Sequence, residues 1–193
     1  NRTSLILRNS KGEVWTFKVM DLSKYIRTVK DFPKKGVEFK DISLLLSNGE
    51  ALNYTINTMA KYAKDADIIV GPDARGFLFG TPVAATLKKP FIMVRKQGKL
   101  PGEVRSYSYG LEYGKSILEI QKGITKPGQK AVIIDDVLAT GGTLDAIIKL
   151  LKAERVEVLR VIVLMELKEF NARNRLNCDV KSLINIENNN EKS

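Results

Sequence analysis

Val132-Ile133-Ile134-Asp135-Asp136-Val137-Leu138-Ala139-Thr140-Gly141-Gly142-Thr143 is the stretch on which the reading of this chain turns. An apolar run of strand length ends in two adjacent carboxylates. A turn of small residues then opens a helical pattern in which Leu144, Ile147, Ile148 and Leu151 share one face. Gly141 and Gly142 let the backbone turn tightly and present successive N–H groups, and Thr140 and Thr143 add hydroxyl donors. The first turn of the following helix contributes its own unpaired donors and the positive end of its dipole. Such a loop suits a phosphate monoester. The carboxylates would repel that phosphate, so beside it they suit neutral hydroxyls or a hydrated magnesium ion. Phosphate, diol and metal together describe a ribose phosphate. The loop has neither the Lys-Ser/Thr pair of a nucleotide-triphosphatase P-loop nor a G-x-G-x-x-G turn. A plainer reading, in which the glycines merely turn the chain and Thr143 caps the helix, does not explain two like charges at the end of a buried strand.

Outward from this loop the chain reads as α/β. Apolar runs at 68–70, 91–94, 131–134 and 158–165 predict buried strands, and patterns at 77–87 and 144–152 predict helices between several of them. Alternation of this kind implies a mainly parallel, doubly wound sheet whose ligands sit at the carboxyl ends of the strands. Leu52, Ile56, Met59, Ala60 and Ala63 form the stripe of a further helix. Asp21 is positioned to cap another that carries Leu22, Tyr25, Ile26 and Val29 on one face. Residues 1–19, ahead of the first methionine at Met20, read as a non-catalytic extension, upstream or vector-derived, or as an additional strand, since 13–19 alternates. Residues 20–186 then form the functional domain, and the apolar-free 187–193 a disordered or loosely attached polar tail.

Composition narrows the chemistry. The 193 residues contain no histidine and one cysteine, Cys178, which excludes a Ser-His-Asp or Cys-His nucleophile and a histidine- or thiolate-ligated zinc site. Catalysis falls to carboxylates, lysines, arginines, tyrosines, hydroxyls and backbone groups. No apolar run has the length of a membrane span and none resembles a secretory signal, so a cytoplasmic location is expected. The net charge of +10 is spread along the chain rather than gathered into a basic arm, and reads as a solubilising surface.

The acid-and-glycine stretch resembles the phosphoribosyl pyrophosphate signature of type I phosphoribosyltransferases. Four further segments are similar to those of adenine phosphoribosyltransferases, in the same order. They are Asp31-Phe32-Pro33 through Gly36-Val37-Glu38-Phe39-Lys40-Asp41-Ile42, Gly71-Pro72-Asp73-Ala74-Arg75-Gly76-Phe77-Leu78-Phe79-Gly80, Val94-Arg95-Lys96-Gln97-Gly98-Lys99-Leu100-Pro101-Gly102, and Leu111-Glu112-Tyr113-Gly114. The resemblance implies that family's fold, a mainly parallel central sheet flanked by helices with a small hood over the active site, and purine salvage from phosphoribosyl pyrophosphate and adenine with Mg2+. It assigns the ribose hydroxyls to Asp135 and Asp136 and the 5-phosphate to Ala139, Thr140, Gly141, Gly142 and Thr143. Pyrophosphate falls to Ala74 and Arg75, with Arg95, Lys96 and Lys99 on a glycine-hinged basic loop; for Lys96 a merely solvated loop is the equal alternative. Glu112, in the flexible-looking stretch 107–114, becomes the acceptor of the base proton. Phe39, Lys40 and Leu167 are assigned to the base, with Lys40 standing where arginine is usual. That departure keeps hypoxanthine, guanine and xanthine open as bases. The resemblance also implies a homodimer. The competing class is a regulator that senses phosphoribosyl pyrophosphate while binding nucleic acid. The sequence shows neither an added helix-turn-helix domain nor a clustered basic face for that role, and no membrane partner is expected.

Overall fold

Short β-branched runs set the frame, and the computed structural model describes residues 3–110 and 114–187. The chain divides into two compact units, residues 1–55 and 56–193. In the first, β1 (Thr3–Arg8) and β2 (Val14–Val19) pair as an antiparallel hairpin. A single 3-10 turn at Leu22–Tyr25 follows, and then β3 (Arg27–Lys30) pairs with β4 (Glu38–Asp41). This corrects the helix expected after Asp21. Asp21 does cap the turn by accepting from the Ser23 N–H at 3.1 Å, but Ile26 is already extended and Val29 lies in β3. β-Branched Ile26, Thr28 and Val29 favour the extended state, and pairing with β4 overrides the weak helical periodicity. A short helix, α1 (Ser43–Leu46), completes this unit, and α2 (Gly49–Tyr62) carries the chain across the division.

The second unit begins with β5 (Ile68–Pro72), α3 (Arg75–Leu87), β6 (Phe91–Lys96), β7 (Val104–Tyr109) and β8 (Ser116–Gln121). β9 (Lys130–Leu138), α4 (Gly142–Ala153), β10 (Glu157–Leu167) and β11 (Asp179–Ile186) follow. The sheet runs β11-β10-β9-β5-β6-β8-β7, parallel from β11 to β6 and antiparallel beyond. β9 sits near its centre. Ala131 and Ile133 join Val161, Val163, Leu144, Ile147 and Leu150 in one buried cluster with α4. Val132 and Ile134 alternate to the opposite face, on the side where α3 packs against β5 and β9.

The flexible stretch expected at 107–114 begins instead as strand. Residues 111–113 lie outside the described residues, as do 188–193 of the expected tail. β7 pairs with β8 from Val104↔Gln121 to Tyr109↔Ser116 and lies against α4. Arg105, Tyr107 and Tyr109 are half-buried while Ser106 and Ser108 are exposed. The alternation was present in the sequence, but only tyrosines and an arginine carry it.

Strand spacing near the carboxyl end of β5 leaves no room at Gly71, where an added Cβ would meet the Ile134 carbonyl oxygen at 2.9 Å. Backbone cannot yield as a side-chain tip can. Gly71→Ala is therefore expected to lower stability by about 1–3 kcal/mol, the usual cost of overpacking. A shift of the urea midpoint to lower concentration, with far-UV circular dichroism retained, is the measurement.

Candidate active site

The two acids stand inside β9 rather than beyond it, because the strand continues through Asp135 and Asp136 to Leu138. Asp135 is half-buried, and Asp136 is 4% exposed. One Asp135 oxygen, Oδ1, accepts the backbone N–H of Asp136 at 2.8 Å. Arg75, in the first turn of α3, brings Nε to 2.6 Å from Asp136 Oδ2. That oxygen nevertheless accepts no well-directed hydrogen bond among the described residues. The contact is one of charge, with the oxygen's lone pairs left for another donor or a cation. Burial, and after it the neighbouring Asp136, pushes the Asp135 carboxyl well above the usual carboxylate range. Arg75 pulls in the other direction, but less strongly.

α3 can approach this closely because Gly76 has no side chain. A Cβ there would sit 2.7 Å from Pro72 Cδ and 3.1 Å from Asp135 Oδ1. The turn leading into α3 includes the Asp73–Ala74 peptide, which is cis. Ala74 is the exposed N-cap of α3 and supplies no side-chain cap.

Beyond the acids, Ala139 and Thr140 lead to Gly141, whose φ of +86° is the left-handed conformation open to glycine at low cost. Gly141 is the N-cap of α4 and offers no side-chain cap, so no side chain at that position competes for the helix's first N–H groups. Packing is tight at Gly141 and ordinary at Gly142. A Cβ at Gly141 would meet Ala172 Cβ at 3.3 Å, and one at Gly142 would meet the Tyr109 ring at 3.7 Å. The Tyr109 hydroxyl lies 3.1 Å from Thr143 Oγ1.

The basic residues occupy two settings. Arg95, at the end of β6, donates from Nε to Asp73 Oδ2 at 3.0 Å and lies 5.9 Å from the Phe77 ring centroid. Lys96 and Lys99 are exposed at the turn that follows, which closes through a bond from the Lys99 N–H to the Lys96 carbonyl at 3.2 Å. Leu167, half-buried, ends β10 beside Glu166. Glu166 is buried and held by Arg173 at 2.8 Å and Ser182 at 3.0 Å. Its carboxyl stays below the usual range because Arg173, Ser182 and Lys168 outweigh the desolvation.

Of the residues picked from sequence, Arg75, Asp135 and Asp136 thus meet directly, and Ala139 to Thr143 continue from them along one backbone. Phe39 and Lys40 lie in the first unit. There Phe39 meets Phe32 edge to face at 5.2 Å, and Lys40 donates to Thr28 Oγ1 at 2.8 Å. Glu112 lies outside the described residues. Tyr109, Asp73 and the Glu166–Arg173 pair were given no role from sequence. Asp73 lay inside a quoted segment, but nothing in one dimension links it to Arg95.

Comparison with known proteins identifies the family and the fold. A profile described as a phosphoribosyl transferase domain matches residues 37–192. The chain is 66% identical over 168 residues to the adenine phosphoribosyltransferase of Mycoplasmopsis pulmonis, covering 86% of this chain and 99% of that one. Identity to the enzyme of that name from Clostridium novyi is 46%, covering 87% and 99%. The crystal structure of adenine phosphoribosyltransferase from Thermoanaerobacter pseudethanolicus superposes with a TM-score of 0.81 at 46% identity, covering 86% of this chain and 98% of that one. The Saccharomyces cerevisiae adenine phosphoribosyltransferase, complexed with an imino-altritol bisphosphate and adenine, superposes with a TM-score of 0.80 at 34% identity, covering 84% and 96%.

The raised Asp135 pKa has a definite sign for stability. The unfolded carboxyl ionises near its ordinary value of about 3.9, while the folded one holds its proton to higher pH. Stability from this group is therefore present at low pH and lost as pH rises from the unfolded value through the folded one. Asp135→Asn, measured on the ligand-free protein, is expected to melt higher than the parent at neutral pH. The difference should shrink as the buffer is brought toward pH ~4.

Proposed function

The chain belongs to the adenine phosphoribosyltransferases of the phosphoribosyl transferase family, and on that premise we infer that its acid-and-glycine edge moves the 5-phosphoribosyl group of phosphoribosyl pyrophosphate onto adenine. The products are adenosine monophosphate and pyrophosphate, a purine salvage reaction. The observation that carries this reading is the adjacent pair in β9, half-buried Asp135 and buried Asp136, with Arg75 at 2.6 Å from Asp136 and the loop into α4 following without a break. Neutral hydroxyls, a phosphate and a second anion each find a matching group there.

The chemistry breaks the bond between C1 of the ribose and the pyrophosphate oxygen, and forms a bond from C1 to a ring nitrogen of adenine. Between the two, C1 passes through an oxocarbenium-like state. Asp135 and Asp136 are assigned to the ribose hydroxyls, and Ala139 to Thr143 hold the 5-phosphate. Together they fix the ring and contribute chiefly by positioning. Arg75, Arg95, Lys96, Lys99 and the Ala74 turn are assigned to the departing pyrophosphate, where fixed positive charge favours the developing anion. Glu112 is assigned to take the proton lost from the imidazole ring of the base. Phe39, Lys40 and Leu167 are assigned to the base itself.

The donor set suits magnesium of a particular kind. Asp136 Oδ2 is buried without a well-directed hydrogen bond, yet no cluster of three acidic or thiol ligands exists among the described residues. An ion here would draw most of its ligands from the substrate and water, near Asp135 and Asp136, and would neutralise pyrophosphate charge. No helix among the described residues is long and apolar enough to cross a membrane. The reading further includes a cytoplasmic setting and, by the resemblance, a homodimer.

Pyrophosphate release should be followed with magnesium, phosphoribosyl pyrophosphate and each of adenine, hypoxanthine, guanine and xanthine. Adenine is expected to support turnover, and an Asp135→Ala/Asp136→Ala double variant to lose it by about a thousandfold, the scale of lost positioning. Turnover with an oxopurine alone would overturn the base assignment. Binding of phosphoribosyl pyrophosphate without turnover on any purine would favour the regulator.

A further inference from the structure

Three carboxylates are buried among the described residues: Asp136, Glu166 and Glu119. Asp136 has Arg75 and Glu166 has Arg173, whereas the hydrogen bonds to Glu119 come from neutral donors. Glu119 is 5% exposed, in the middle of β8 between buried Leu118 and Ile120. An apolar residue would satisfy that position without the cost of desolvating a carboxyl group. What the acid does is visible in its partners. Oε1 accepts the backbone N–H of Gly98 at 2.7 Å, and Oε2 accepts the Ser106 hydroxyl at 2.7 Å.

Those partners flank the basic turn. Glu119 lies on one rung of the sheet with Arg95 of β6 on one side and Ser106 of β7 on the other. The chain leaves β6 at Lys96, turns through Gly98 at φ +81°, and presents Lys99 one residue later. A bond from the Gln97 N–H to the Ile117 carbonyl at 3.0 Å fixes the start of the turn. Among the described residues nothing lies within 4 Å of a Cβ built on Gly98, so no neighbour packs against that side of it. The carboxyl group of Glu119 holds its N–H.

We propose that Glu119 is a positioning residue for the pyrophosphate end of the site. It ties Gly98 and Ser106 to the sheet and so sets where Lys96 and Lys99 present their ammonium groups. The proposal rests on the assignment of those lysines to pyrophosphate. It differs from a purely structural role in predicting which ligand suffers. Losing the anchor lets the turn fluctuate, and an exposed cation gains its catalytic value only where its position is fixed in advance.

The test is kinetics in both directions, with direct pyrophosphate binding by calorimetry in the presence of magnesium. Glu119→Leu is expected to raise KM for pyrophosphate and for phosphoribosyl pyrophosphate about tenfold, the scale of one misplaced charged contact, while KM for adenine changes less than about twofold. Glu119→Gln retains an oxygen for the Gly98 N–H and an amide that can pair with Ser106, and is expected to stay within about threefold of the parent. Ser106→Ala, at an exposed site, removes one of the two bonds without opening a core cavity. It should show the same selective rise at smaller size, which keeps the test decisive if Glu119→Leu fails to fold. Unchanged pyrophosphate affinity in a folded Glu119→Leu or in Ser106→Ala would overturn the proposal, as would equal rises in all three constants. A parent protein that turned over no purine would instead remove the functional reading beneath it.

Discussion

Two adjacent carboxylates inside a central parallel strand form the constraint on which the site depends. Like charges at neighbouring positions repel, and burial withholds the water that would screen them. Arg75 brings compensating charge from the start of α3, and it can do so only because Gly76 allows that helix to press against Pro72 and Asp135. Compensation remains incomplete. Asp135 keeps a strongly raised pKa, and Asp136 Oδ2 finds no directed donor among the described residues. A site in this condition gains from a ligand that supplies hydroxyl donors or a cation, which is what ribose and hydrated magnesium offer.

The same economy of shared contacts links the subsites. Arg75, assigned to pyrophosphate, touches Asp136, assigned to ribose, so neither can move without disturbing the other. Asp73 holds Arg95 across from the neighbouring strand, and Ala172 and Tyr109 bound the loop assigned to the 5-phosphate from two directions. β7 adds a further tie, since Tyr109 contacts Thr143 and Tyr107 lies by Lys149 of α4, while Ser106 reaches Glu119 of β8. The basic turn hangs from the sheet by Glu119. Preorganisation here comes from short polar contacts between loops at one edge of a well-packed sheet.

Much of this was legible before any coordinates. Buried parallel strands such as β5 and β9 announce themselves as continuous apolar runs, and α4 as a single stripe, because both patterns follow directly from burial. The loop assigned to the 5-phosphate was legible for a different reason: its glycines, threonines and acids are adjacent along the backbone, so sequence neighbours are also spatial neighbours. β7 was not legible as a strand, because its half-buried face is built from tyrosines and an arginine. The segment after Asp21 misled in the opposite way, since four apolar residues at helical spacing belong to a turn and a hairpin.

The sequence by itself determined the α/β alternation, the acid-and-glycine signature, the absence of histidine chemistry and the family to which these belong. Each is a property of residue type and local spacing. Only the tertiary structure decided that Arg75 pairs with Asp136, that Arg95 is held by Asp73, that Tyr109 reaches Thr143 and that Glu119 secures Gly98. These contacts join residues 21 to 61 positions apart, brought together by strand order and by the close approach that a few glycines allow. Charge pairing and positioning depend on distance in space, which the order of residues along a chain does not encode locally.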